Sequence, residues 1–160
     1  MIELLKETNL FDSLLPEELE QIQELCEVRN IKKGAQLFEA GESADYLFVV
    51  VEGEIELRFE VVYFNASIEI PLDNKCRGEA FGWSALIEPY KYTLSAFAAK
   101  DCELLQLRGR DIERLCEENS HLGYVIMNNV AKLIGKRFSA LEKALVAEIQ
   151  RSLKEKDPFA

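Results

Sequence analysis

The sequence is poor in the residues that build metal centres. Its 160 residues include one histidine, His121, and none of the four cysteines forms a CxxC pair. Metal sites of the usual kind gather several histidine or cysteine ligands, so this composition argues against one. A single histidine also leaves few groups for acid–base catalysis near neutral pH. We therefore expect a protein that is not an enzyme and needs no cofactor or metal.

A long apolar run and a secretory leader are also lacking. No run approaches the roughly 18 residues of a membrane span, and the N-terminus carries early acids without a basic segment. The sequence therefore predicts a cytoplasmic protein with no membrane contact. Cysteines stay reduced in that compartment. We expect buried, structural thiols at Cys26, Cys76, Cys102 and Cys116.

Basic charge is scarce over most of the chain. The net charge is −10. Residues 1–120 carry 12 Lys and Arg against 25 Asp and Glu, whereas residues 121–160 carry 7 against 4. An acidic body repels phosphate backbones, so nucleic-acid binding is disfavoured. The mildly basic tail could equally pair with acidic surface on the same protein or on a partner.

The chain divides into three segments of one domain. Residues 1–29 predict N-terminal helices, because Pro16 opens a stretch whose apolar residues share one helical face. Residues 30–108 hold short β-branched and aromatic runs between glycines, typical of an antiparallel barrel, sandwich or jelly roll. Residues 46–51 predict a strand buried on both faces, and the alternation over residues 54–62 predicts a strand with one wet face.

Residues 109–160 predict a short helix ending near Asn119 and then a long helix. Apolar residues keep an approximate helical stripe from Leu122 to Ile149. The first half of this helix could fold back on the strands, but beyond about residue 138 it should be out of their reach. We therefore favour a homodimer seam there. Asn128 and Asn129 could fix the register of such a helix pair or lie on plain surface.

Three stretches in order resemble the cyclic-nucleotide-binding domain family. The first is Leu10-Phe11 with Leu14 and Pro16, and the second runs from Ile31-Lys32-Lys33-Gly34 to Leu57. The third, Gly78 to Leu86 with Ser95-Ala96 downstream, resembles the family's phosphate-binding cassette. The resemblance covers roughly residues 8–140. It implies a mainly β fold with flanking helices: a double-stranded β-helix (jelly-roll) barrel, N-terminal helices and a long C-terminal helix.

The cassette supplies the candidate site. Phe81-Gly82 is predicted to close a strand and begin a helical turn whose backbone amides can hold an anion. A strand-to-helix turn that binds nothing is the alternative. The predicted ligand-binding residues in this region are Gly82, Trp83, Ser84, Ala85, Lys91, Tyr92, Thr93 and Ser95.

Two positions depart from the nucleotide binders that the sequence resembles. Their ribose-binding glutamate is replaced by Trp83, and their phosphate-binding arginine falls by counting at Tyr92. A charge-assisted contact is worth roughly 1.5–3 kcal/mol, so tight binding of cAMP or cGMP is not expected. Lys91 offers only a point charge, one residue out of place, and is otherwise a solvated loop lysine. Trp83 could stack on a flat ligand or fill the pocket.

The resemblance also implies that the long helix covers the ligand and forms the dimer, with Arg137 and Phe138 near the ligand's base. A solvated arginine and a dimer-seam phenylalanine are the alternatives. About twenty residues follow Ala140, so we expect no DNA-binding domain of the kind found in the family's transcription factors.

Two hypotheses on function stay open. The first is a non-catalytic regulatory or sensor module for a nucleotide-like or other anionic ligand. The second is a dimeric scaffold or protein-interaction domain whose pocket is occluded. A metal enzyme of the cupin kind shares the jelly-roll architecture, but it would need several histidines.

Overall fold

Helical elements precede the strands in the computed structural model, which describes residues 1–157 and 159. They are α1 (Ile2–Glu7), a 3-10 turn (Asn9–Phe11) and α2 (Pro16–Glu24). Pro16 opens α2, where its missing N–H would have no partner in any case. Leu19 and Ile22 on the apolar face of α2 are buried, so this face anchors the N-terminal segment to the core.

Eight strands follow and form two antiparallel sheets. They are β1 (Glu27–Ile31), β2 (Gln36–Phe38), β3 (Tyr46–Glu52), β4 (Ile55–Tyr63), β5 (Ala66–Lys75), β6 (Ala80–Phe81), β7 (Ser95–Ala98) and β8 (Cys102–Arg108). One sheet has the order β1-β8-β3-β6 and the other the order β2-β7-β4-β5. Buried residues of both sheets belong to one hydrophobic core. The fold is mainly β, a jelly roll with helices before and after it, as the sequence predicts.

The strand β3 lies at the centre of its sheet. It pairs with β8 along one edge and with β6 along the other. Its residues from Leu47 to Val50 are buried, which confirms the prediction from the continuous apolar run. Because β6 pairs with β3 and leads directly into the cassette, β3 positions the candidate site.

The prediction of one wet and one buried face is wrong for the second half of β4. Residues 55–58 alternate between buried and half-buried, but all of residues 60–63 are exposed. β7 pairs with β4 only over residues 55–58, so the rest of β4 has β5 as its single neighbour in the sheet, and no second layer covers either face of residues 60–63. The β4–β5 hairpin therefore projects beyond the sheet, with Val62 72% and Phe64 85% exposed.

Two helices follow the strands in the described part of the chain, α3 (Gly109–Glu118) and α4 (Ser120–Glu155). The Asn119 side chain accepts the amides of His121 and Leu122 and so caps α4. The 36 residues of α4 span about 54 Å. Its buried residues end at Val130, and most of the helix beyond residue 138 is exposed.

Both interpretations of Asn129 are wrong. Its side chain is buried, and its Nδ2 donates to the carbonyl oxygens of Leu10 at 3.0 Å and Asp12 at 2.8 Å. Asn129 thus ties α4 to the N-terminal 3-10 turn of the same chain. Asn128 beside it is exposed.

The prediction of four buried thiols is confirmed only for Cys102 and is wrong for Cys76. Cys102 is buried, Cys26 and Cys116 are half-buried, and Cys76 is exposed because it lies in the turn after β5. All four cysteines are free.

Two features are absent from the described residues. No helix among them combines the length and apolar character that a membrane span requires. No group of three or more His, Cys, Asp or Glu side chains among residues 1–157 and 159 is placed to hold a metal ion.

Candidate ligand-binding site

The cassette is built from a two-residue strand and a tight turn. After β6, Gly82 adopts a φ of +75°, and a 3-10 turn runs over Trp83–Leu86. Glycine tolerates this left-handed conformation, which strains other residues. A β-carbon at Gly82 would also lie 3.2 Å from the Tyr46 carbonyl oxygen and 3.3 Å from the Phe48 ring. Gly82 therefore lets the turn pack directly against β3.

A small cavity lies against this turn. Its volume is about 10 Å³, roughly the space that one water molecule needs. Sites for small molecules typically measure about 300–1,000 Å³, so the cavity does not admit a nucleotide in this conformation. Its lining residues are Phe38, Leu57, Gly82, Trp83, Ser84, Tyr92, Thr93, Leu94 and Arg137. Six of the ten predicted ligand-binding residues thus meet at one place.

Tyr92 fills the inner side of the cavity. Its ring stacks on Phe38 with centroids 3.7 Å apart and planes 8° apart. Its hydroxyl donates to the Tyr46 carbonyl oxygen at 2.6 Å, and burial raises the pKa of Tyr92 to about 12. The residue at the arginine position of the resemblance is therefore neutral, buried and already hydrogen-bonded.

Trp83 and Arg137 close the outer side. The Arg137 guanidinium carbon lies 4.9 Å from the centroid of the Trp83 ring, in a cation–π contact. Both side chains are half-buried. Burial lowers the pKa of Arg137, and the charge of Asp73 opposes that shift. Guanidinium stays protonated at neutral pH even so, so a positive charge from α4 lies directly over the cassette.

The three predicted hydroxyl residues have different surroundings. Ser84 is half-buried and Thr93 is exposed, and both line the small cavity. Ser95 is buried in β7, where its hydroxyl oxygen accepts the amide of Ala40 at 2.9 Å. Ser84 and Thr93 can therefore meet a ligand without breaking a structural contact, whereas Ser95 holds the chain between β2 and β3.

The other predicted residues lie outside the cavity lining. Ala85 is buried against Gly109, where a β-carbon would collide with the Ala85 carbonyl group. Lys91 is exposed and forms an isolated bridge with Ser43. Phe138 is 68% exposed on α4. Ala85 therefore contributes packing, Lys91 a solvent-exposed charge and Phe138 exposed apolar surface.

Sequence reasoning did not identify the apolar side of the cavity. Phe38 on β2, Leu57 on β4 and Leu94 before β7 line it together with the cassette. Phe38 also contacts Phe48 and Phe81, with ring centroids 6.0 and 6.2 Å away. The inward positions of alternating strands are the signal that could have found Leu57, because it faces the core between the half-buried Glu56 and Arg58.

Comparison with known proteins identifies the family to which the chain is similar. Residues 28–119 match the family described as the cyclic nucleotide-binding domain. A crystal structure of a putative cyclic nucleotide-binding protein from Geobacter metallireducens is 32% identical, with a TM-score of 0.70 over 85% of this chain and 96% of that one. The catabolite activator protein of Thermus thermophilus is 27% identical, with a TM-score of 0.73 over 88% of this chain and 63% of that one.

A curated relative is much longer than this chain. Glutaminase 1 of Bradyrhizobium diazoefficiens is 29% identical over 133 residues, which are 83% of this chain but only 20% of the glutaminase. The similar region is therefore about a fifth of that protein. The family match spans more than half of the present chain and coincides with the jelly roll and its cassette. The chain therefore belongs to the cyclic nucleotide-binding domain family.

Proposed function

We propose that the chain is a non-catalytic regulatory module of this family that does not bind cAMP or cGMP tightly. The observation that carries the proposal is Tyr92. It stands where the resemblance implies a phosphate-binding arginine, yet it is stacked on Phe38 and hydrogen-bonded to Tyr46. An aromatic hydroxyl that donates to a backbone carbonyl cannot replace a bidentate guanidinium.

The missing sugar contact supports the same conclusion. Trp83 occupies the position of the ribose-binding glutamate and presents an indole ring under Arg137. An indole has one N–H donor and no acceptor for a ribose hydroxyl. Losing both polar contacts lowers affinity by roughly two to four decades, if each is worth about 1.5–3 kcal/mol.

We assign the output of the module to α4 and to a second copy of the chain. The exposed apolar residues of this helix include Ile134, Phe138 and Leu145, and the half-buried Leu141 completes a spacing of four, three and four residues. This is the spacing of a coiled-coil seam. The same helix carries Arg137 over the cassette. A change at the cassette would therefore alter the position of the proposed dimer helix.

Titration calorimetry with cAMP and cGMP tests the ligand proposal. We expect no submicromolar binding by the wild-type protein, because the charge-assisted contacts are missing. The variant Trp83→Ala is the informative companion, since it removes the ring that closes the cavity without restoring either contact. We expect it to bind no better. Submicromolar binding by the wild type would overturn the proposal, and binding gained by Trp83→Ala would mean that steric closure, not lost chemistry, is decisive.

A dimeric scaffold with a vestigial pocket is the second candidate. The cavity volume of about 10 Å³ favours it. The two candidates differ in whether any anion binds near Arg137. For either function we propose a cytoplasmic location, which the four free thiols support.

A further inference from the structure

The lysines of α4 share one face of the helix. Their separations along the chain are four, seven and eleven residues. Because successive residues of a helix are rotated by about 100°, these separations place all of them within an arc of about 40°. All are exposed, and they extend over about 33 Å of the helix. We call this set the lysine stripe, and it consists of Lys132, Lys136, Lys143 and Lys154.

The acids of α4 lie away from the lysine stripe. Glu142, Glu148 and Glu155 are the acidic residues of this helix, and each is rotated by about 100° or more from the centre of the stripe. Arg151 pairs with two of them, Glu148 and Glu155. Residues 119–141 contain no Asp or Glu. The two signs of charge are therefore separated around α4, and one face of the helix is uniformly basic.

The stripe lysines have no acidic partner in the part of the chain that the structure describes. The lysines that form salt bridges there are Lys6, Lys32, Lys75 and Lys100. Glu7 and Asp12 share a cleft with Lys132 and Lys136, but no salt bridge joins these acids to the stripe. The positive charge of the stripe is thus available to an anion outside the described chain, although the chain as a whole has a net charge of −10.

The lysine stripe is on the opposite side of α4 from the proposed dimer seam. Phe138 and Leu145 of the seam are rotated by about 180° or slightly more from the centre of the stripe. Pairing of two α4 helices through that seam would therefore leave the stripe of each chain facing outwards. The jelly roll does not cover the stripe either, because the buried residues of α4 end at Val130. The stripe is accessible in the monomer and in the proposed dimer.

The shape and charge density of the stripe distinguish between possible partners. The stripe offers one positive charge per about 11 Å, whereas a DNA duplex carries one negative charge per about 1.7 Å of its axis. A duplex would also approach the acidic part of the chain, where residues 1–120 carry 12 Lys and Arg against 25 Asp and Glu. A second α-helix is narrower, and carboxylates that repeat with the helical period along one of its faces would match the spacing of the lysines.

We propose that the lysine stripe docks an acidic helix of a partner protein, with the carboxylates of that helix along the face that meets α4. The inference goes beyond the proposed function. It uses neither the cassette nor the dimer seam, and it gives α4 a second contact surface.

Two synthetic peptides test the proposal. Both are alanine-based helices with the same number of glutamates. In the stripe peptide the glutamates repeat along one face, and in the scattered peptide they are distributed around the helix. NMR titration of the isotope-labelled full chain measures both dissociation constants, and the amide signals that shift locate the contact. We expect tighter binding of the stripe peptide, shifts within residues 132–154, and an affinity that falls as salt screens the exposed charges.

The test variant removes three charges from the stripe, Lys132→Gln/Lys136→Gln/Lys143→Gln. Each exposed ion pair contributes little by itself, so we expect the dissociation constant of the stripe peptide to rise by at least about threefold. The same three positions changed to arginine keep the charge and should retain binding. Circular dichroism checks that the variants are helical. If the glutamine variant does not fold, the preference of the wild type for the stripe peptide still decides the question.

The matched control removes the same charge from the jelly roll, Lys32→Gln/Lys33→Gln/Lys91→Gln, at three exposed positions. It should leave binding of the stripe peptide unchanged. An equal loss in this control would show that net charge and not the stripe determines binding, which would overturn the inference.

Two further results would overturn the inference. One is equal affinity of the wild type for the stripe peptide and the scattered peptide. The other is tighter binding of a DNA duplex than of the stripe peptide at the same salt concentration, which would make the stripe a nucleic-acid contact. Tight binding of cAMP would refute the proposed function and leave this inference intact, whereas equal binding of the two peptides would refute this inference alone.

Discussion

At the scale of single residues, Glu18 is the only charged side chain that is fully buried among residues 1–157 and 159, with 2% exposure. Its carboxylate accepts the amide of Leu15 at 2.9 Å, Nδ2 of Asn119 at 3.0 Å and Nδ1 of His121 at 2.8 Å. Burial alone would raise the pKa of Glu18, but these hydrogen bonds and the charge of His121 outweigh it, so the pKa lies below its ordinary value. The cluster fastens α2 to the start of α4.

This depressed pKa predicts how stability changes with pH. A carboxyl group whose pKa is lower in the folded state stabilises the fold above its unfolded pKa, and the stabilisation is lost as the pH falls through the folded value. We expect Glu18→Gln to lower the free energy of unfolding by about 1–3 kcal/mol at pH 7 and by much less near pH 3. Urea denaturation at both pH values measures this.

Glu20→Gln is the matched control for Glu18→Gln, because Glu20 lies on the same helix and is exposed. It should change stability little at either pH. Equal stability of the two variants at pH 7, or a difference that does not shrink in acid, would contradict the role given to the Glu18 cluster.

The sequence located the candidate site better than it described the chemistry there. The resemblance to the family's cassette grouped Gly82, Trp83 and Tyr92, and the structure places all three along one small cavity. The direction of the Tyr92 hydroxyl depends on the carbonyl of Tyr46, which is 46 residues away in the chain. The contact of Arg137 with Trp83 depends on the rotation of a 36-residue helix. A local residue pattern does not predict long-range contacts of this kind.

At the scale of elements, α4 is held to the N-terminal 3-10 turn by Asn129. The hydrogen bond to Leu10 is buried and the one to Asp12 is part-buried, so Asn129→Leu would leave both carbonyl oxygens without this donor. We expect a loss of about 1–3 kcal/mol in the free energy of unfolding. We also expect faster amide hydrogen exchange in residues 9–13. Asn128→Leu, which changes an exposed neighbour in the same way, should have little effect. Equal losses of unfolding free energy for the two variants would refute the role of Asn129 in holding α4 to the 3-10 turn.

Element types followed from periodicity, whereas the extent of pairing did not. The alternating pattern of β4 continues through residue 62, yet β7 stops pairing with it at Arg58. A strand keeps a buried face only where a second layer covers it. Beyond Arg58 the alternating pattern continues, but no second layer packs on the hairpin. The alternation along β4 alone does not show where such a layer ends.

At the scale of the whole molecule, the described residues expose apolar surface at the β4–β5 hairpin tip and on the distal half of α4. On α4, Phe138 is 68% and Leu145 61% exposed, and Ile149 and Leu153 continue the surface with 50% and 63%. Large exposed apolar patches on a folded protein usually mark contacts with another chain. The α4 surface has the heptad-like spacing that a second α4 could match, whereas the hairpin tip has no such repeat.

This difference between the two surfaces predicts which one forms the dimer. We expect the full chain to sediment as a dimer, and the double variant Phe138→Ser/Leu145→Ser to dissociate at concentrations where the wild type does not. Since each serine removes apolar area from the seam, the dissociation constant of the dimer should rise by at least tenfold. Phe64→Ser is the control, because it removes an even more exposed phenylalanine from the hairpin, and it should leave the dimer intact. If Phe64→Ser alone dissociates the dimer, the dimer contact lies at the hairpin and not on α4. If the wild-type chain is a monomer, α4 does not transmit a signal between chains.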